Sequence, residues 1–170
     1  MNDITENERR LRDVVELFAE IKCDDPRLMV VLAAGRIDAA LMQMLDTYKR
    51  SDQRPPAKFQ TRTRLAREWK LIDQPFATYV SNVRLLRNHI VHRDTRKGSL
   101  RSGPLASLTA KISDAASIVM LAEFGVQDRL HAAMVAGVLT AELDFFRADE
   151  SLIPHGFGVL KDYVVTCSAK

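Results

Sequence analysis

The middle of the chain holds a set of side chains suited to phosphate chemistry. The stretch Tyr79 to His92 reads YVSNVRLLRNHIVH and carries Arg84, Arg87, Asn88, His89 and His92. An imidazole can take or give a proton near neutrality because its unperturbed pKa lies near 6.5. A guanidinium presents a planar fork that makes two parallel charge-assisted bonds to a phosphate. Breaking an RNA phosphodiester without a metal needs a base for the 2′-OH proton, an acid for the leaving oxygen, and cations for the charge on phosphorus. In that scheme His92 is the acid or base, Arg87 the phosphate clamp and Asn88 an orienting group, with Arg84 and Arg93 holding flanking phosphates.

Helical spacing constrains how these groups can meet. At 3.6 residues per turn Tyr79, Val83, Leu86 and Ile90 gather on one side as a core-facing stripe. Arg84, Asn88 and His92 follow one another at i, i+4 and i+8 as a second, polar stripe, with Arg87 at its edge. Residues five apart point about 140° from one another, so Arg87 and His92 of one helix converge poorly on a single phosphate. Two such helices facing across a twofold axis would bring the Arg of one chain to the His of the other, so a catalytic site here predicts a homodimer with a basic cleft. The alternative is that Arg87, Asn88 and His92 cap or hydrogen-bond the next helix or bind a tail carboxylate. His89 and His92, at i and i+3, could clip a metal. No third ligand is evident and no metal or cofactor is assigned. Glycine-rich phosphate loops, paired Cys ligands, a Gly-x-Ser-x-Gly elbow and His-Glu-x-x-His are all missing.

Arg87, Asn88, three residues and His92 resemble the signature of the HEPN domains, small helical bundles in which an Arg precedes a His by four to six residues. Within that superfamily the pattern is most similar to the mannitol operon repressor family. The likeness rests on an alanine-rich helix (LAAGRIDAALMQML), a Phe-basic-Leu-Ala helix (KFQTRTRLAREWKLID) and then the Arg-Asn-His helix, roughly Leu28 to His92. Val91 and Lys70 stand where that family commonly has a small or apolar residue before the motif His and a Gly before the Leu-Ile. His89 lies five residues after Arg84, which offers a second frame for the motif, and Asn88 favours the frame of Arg87. The resemblance implies a bundle that pairs through the motif helix. It further implies either a metal-independent endoribonuclease of the toxin or antiviral kind, with an antitoxin partner, or a non-catalytic transcriptional regulator acting through protein contacts. No helix-turn-helix is readable around Asp73, so a repressor would work through a partner protein more than through direct DNA contact.

Charge points the same way. Between Arg54 and Arg101 twelve bases face three acids, Glu68, Asp73 and Asp94, giving +9; with +3 for the whole chain the remainder is 3 − 9 = −6. Arg93, Arg96, Lys97 and Arg101 lie directly after the motif, in a Gly-containing stretch without hydrophobic period. Positive charge concentrated around the motif suits a phosphate-rich partner, RNA above all. Basic segments also serve as solvated faces or meet acidic proteins.

The elements that must position these groups are helices. A chain of 170 residues, 46 % hydrophobic, can bury a core as one domain, and seven Gly and six Pro are too few for a many-turned β protein. A capping box at Thr5 to Glu8 opens a first helix to about Lys22. Asp25-Pro26 starts a long apolar helix to about Lys49, thinned by Ala33, Ala34, Ala39 and Ala40 so that neighbours approach closely. Pro55 and Pro56 mark a loop. A third helix over about Gln60 to Leu71 points Leu65 and Trp69 inward and Arg64 and Arg67 outward, with Trp69 in the core rather than stacked on a nucleotide. The motif helix begins at Asp73 to Pro75 and ends near His92 or Arg93. Leu105, Leu108, Ile112, Ala115, Val119 and Ala122 mark a fifth helix closed by Gly125. A sixth, about Gln127 to Arg147, presents Leu130, Met134, Val138, Ala141 and Phe145, with His131 at the helix surface or satisfied in the core. The expected architecture is all-α: one bundle of about six helices over residues 1–147, and an irregular tail, 148–170, packed on the domain or on a partner subunit. Two distant Cys, no signal-like apolar region and no apolar run near 18 residues predict a cytoplasmic chain with no membrane partner.

Overall fold

The computed structural model describes residues 16–17, 19–21, 24–48, 54–92, 100, 103–116, 128–147 and 156–157. Among them six helices pack as an all-α bundle. Helix α1 is described at residues 16–17 and 19–21, and α2 to α6 run Pro26–Thr47, Phe59–Glu68, Gln74–His92, Gly103–Ala115 and Arg129–Arg147. The expected capping box before α1, the residues around Gly125 and most of the tail lie outside the described residues, as do Val119 and Ala122.

Helix α2 is the axis, packing on α3, α4 and α6. Asp25 starts it: its carboxylate accepts from the Arg27 amide at 2.9 Å, and Pro26 occupies the first turn, where a missing N–H costs nothing. Ala33, Ala34 and Ala40 are buried as expected of a thin central helix, whereas Ala39 faces solvent. Against the expectation of no long apolar run, α2 reaches a mean hydropathy of 1.6, enough by length and composition to cross a membrane. Half of that window is buried inside the bundle, and its charged residues are ion-paired to neighbouring helices. Arg36 joins Glu20 of α1 and, at 2.8 Å, Glu142 of α6. Asp38 receives both arms of the Arg62 guanidinium from α3, at 2.7 and 2.5 Å, while Arg62 also donates to the Pro56 carbonyl at 2.8 Å. Arg62, one of the twelve bases counted above, is therefore an internal clamp between α2 and α3, its side chain only 11 % exposed.

Helix α3 ends in a tight backbone cap. Lys70 takes a left-handed φ of +60°, the Leu71 amide donates to the Ala66 carbonyl at 2.8 Å and the Lys70 amide to Arg67 at 2.9 Å. This is the pattern of a Schellman cap, in which glycine is the usual residue because it meets no Cβ clash. Leu65 and Trp69 pack inward against the core as the periodicity predicts.

Helix α4 starts where Asp73 accepts from the Phe76 amide at 2.8 Å. Its predicted stripe is inside: Tyr79, Val83 and Leu86 are fully buried and Ile90 packs at the edge. The Tyr79 hydroxyl donates to the Ala133 carbonyl of α6 at 2.6 Å, and burial pushes its phenol well above the ordinary range. Gly137 makes this contact possible, because a Cβ there would run into the Tyr79 ring. Phe157, from the residues beyond α6, meets the rings of Phe76 and Tyr79 edge-on at 5.3 and 4.9 Å. Each such fully buried aromatic removes enough apolar surface to contribute about 1.5–3 kcal/mol. Helix α5 packs on α4 and α6 with Leu105 and Ile112 inward, and α6 buries Leu130, Met134, Val138 and Ala141. His131 is half-buried on α6.

Candidate functional site

The motif residues all lie on the unbroken last turns of α4, which keeps its helical geometry as far as His92. Arg87 donates to the Asn88 side-chain carbonyl at 3.1 Å, so these two are joined directly. An amide does not cancel a guanidinium's charge, and Arg87 keeps its full positive charge toward anything that approaches. Its helical angle falls between those of Val80 and Val83, beside the buried stripe, and its half-exposed side chain must run along apolar surface before reaching water. His92 is exposed on the final turn, on the other side of the helix. The arrangement joins Arg87 to Asn88 but not to His92, as the spacing requires.

Arg84 is half-buried one turn earlier, and its Nε is shielded from water without a hydrogen-bond partner. Such an atom forfeits the bond it would make in water, so an acceptor brought to it is worth more than at an exposed site. His89 is half-buried on the same helix. Among the described residues no three His, Cys, Asp or Glu side chains form a group that could hold a metal. Arg93, Arg96, Lys97 and Arg101, expected to bind flanking phosphates, lie outside the described residues.

Apart from Arg84, the arginines of α3 and α4 fall into two classes. Arg62 and Arg64 are matched to carboxylates, Asp38 and, at 2.7 Å, Glu68. Arg67 and Arg87 are held by neutral amides, Gln74 at 2.8 Å and Asn88 at 3.1 Å. Among the described residues, Arg67 and Arg87 are therefore positive groups that their hydrogen-bond partners do not neutralise.

A feature not anticipated from the sequence lies between α3 and α4. A cleft of about 440 Å³ opens there, lined by Arg64, Arg67, Gln74, Thr78, Ser81 and Asn82, among others. Hydroxyl, amide and guanidinium groups project into it from both helices, over walls that are otherwise apolar. The signal was present in the polar run Gln74, Thr78, Ser81 and Asn82 at i, i+4, i+7 and i+8, one wet face of α4. These neutral residues carry no catalytic group, so a search for titratable motifs passes over them.

No protein-family model, no curated protein and no solved structure matches the chain.

Proposed function

We propose that the protein is a HEPN-type, metal-independent endoribonuclease that acts on RNA as a homodimer in the cytosol. The observation that carries this reading is the end of α4. There an exposed imidazole, His92, follows a guanidinium, Arg87, whose partner Asn88 leaves its charge intact. In this reading His92 moves a proton while Arg87, from the facing subunit, holds the phosphate and stabilises the charge that builds on it. The 2′-oxygen forms a bond to phosphorus as its proton is taken. The bond from phosphorus to the 5′-oxygen breaks and that oxygen accepts a proton, leaving a 2′,3′-cyclic phosphate and a 5′-hydroxyl. Asn88 fixes the Arg87 fork. The left-handed backbone at Lys70, where the mannitol operon repressor family commonly has Gly, further supports a likeness in the α3–α4 connection.

The test is incubation of purified protein with labelled single-stranded RNA in EDTA, beside the His92→Ala variant. Cleavage by the parent and a loss of at least about 100-fold in the variant is expected, the usual scale for a proton-transfer group. Equal cleavage by both would remove His92 from the chemistry.

A second reading is a non-catalytic regulator working through a protein partner. It is favoured by the exposed apolar side chains of α2, Leu28, Leu32 and Met42, which lie on one face of that helix at i, i+4 and i+14. A regulator would leave RNA intact in the same assay and would not arrest growth when expressed alone.

A further inference from the structure

We propose that the α3–α4 cleft is the seat of the RNA strand next to the cleavage point, gripping one nucleotide by its phosphate and ribose. This rests on the ribonuclease reading above and assigns that reading a binding subsite separate from the motif. A volume of about 440 Å³ lies in the range of small-ligand sites and can take one nucleotide. The polar groups of the lining suit a nucleotide's phosphate and ribose. Arg67 lies at the cleft with an uncancelled charge, because its partner at 2.8 Å is the amide of Gln74, and its remaining N–H groups are available to an anion. Thr78 and Ser81 each spend their hydroxyl proton on their own helix, on the Gln74 carbonyl at 3.0 Å and the Ala77 carbonyl at 2.8 Å. What Ser81 offers the cleft, and Thr78 with the lone pair left after it accepts from the Gln74 side-chain amide at 3.1 Å, is an oxygen acceptor, the complement of a ribose 2′-OH or a base N–H. Asn82 adds an amide that can both donate and accept. No carboxylate lines the cleft to repel a phosphate.

Position ties the cleft to the motif. Gln74, Thr78, Ser81, Leu85 and His92 are spaced at i, i+4, i+7, i+11 and i+18, so all five share one face of α4. From Ser81 to His92 is about 16 Å along the axis, a distance that a short single strand bridges. Leu85, 38 % exposed, lies between them as an apolar surface on which a base can rest. A strand anchored by Arg67 would thus run along this face toward His92. Arg87 leaves the helix on its other side, where it would meet the strand only from the partner subunit or beyond the scissile bond, while Arg84 lies about 80° from His92 at the border of this face.

The experiment is fluorescence anisotropy of an RNA oligomer of about eight nucleotides, and of the DNA of the same sequence, with the full chain and its Arg67→Gln and Asn82→Leu variants. Arg67→Gln keeps a donor but removes the charge, and Asn82→Leu blocks the polar wall without changing charge. Circular dichroism and thermal melting confirm that each variant is folded. The parent is expected to bind RNA several-fold more tightly than DNA. Each variant should weaken RNA binding about tenfold, and Arg67→Gln should also lower the slope of log K against log salt by about one. Parent-like affinity in both variants, or no RNA binding by the parent, overturns the proposal. Cleavage of the same RNA separates the two claims. Binding lost in the variants with no cleavage by the parent keeps the subsite and removes the nuclease. His92-dependent cleavage that both variants retain in full keeps the nuclease and removes the subsite.

Discussion

Lys70 is a residue whose side chain does little and whose backbone does much. It holds a φ of +60° at the end of α3, where a Cβ meets the neighbouring carbonyl and costs about 1 kcal/mol relative to glycine. Lys70→Gly should therefore raise the melting temperature by about 2–4 °C, the shift expected for that energy in a chain of this size. A lower melting temperature, measured by circular dichroism, would mean that the lysine side chain makes a compensating contact. The residues of the motif were legible for a different reason. His92, Asn88 and Arg87 announce themselves by chemistry and spacing, and the helix then fixes which of them can meet. Arg62 could only be counted as a charge, because a sequence does not show a charge's partner. Its partner Asp38 is twenty-four residues away, on another helix.

At the level of elements, the apolar periodicity gave α4 and α6 their inward faces, and Asp25-Pro26 gave the start of α2. Local capping chemistry and a 3.6-residue period act over a few residues, so they can be read directly. Pairing between helices cannot. The contact of Tyr79 with Gly137 and Ala133, like the cleft between α3 and α4, depends on how two distant segments approach. The α2–α3 clamp is such a pairing, and it is testable. Asp38→Ala would strand a largely buried guanidinium that now donates twice to that carboxylate. The expected loss is roughly 2–4 kcal/mol, a little under the range for fully buried pairs because Asp38 keeps some exposure. A fall of about 5–10 °C in melting temperature follows. Replacement of the exposed pair through Glu68→Ala should change stability by less than about 1 kcal/mol. Equal losses in the two variants would show that burial does not set the strength of these pairs.

For the whole molecule, the proposed chemistry depends on geometry that one chain does not supply. Arg87 and His92 diverge on one helix, so a working centre needs the Arg of one subunit against the His of another. The most direct test mixes two inactive variants. Arg87→Ala and His92→Ala, each alone, have no complete centre. When the two are unfolded together, refolded and assayed on RNA, half of the dimers are mixed and each mixed dimer holds one intact centre of two. Roughly a quarter of the parent's activity should return. A parent that cleaves RNA while the mixture stays as inactive as its components would contradict the shared centre.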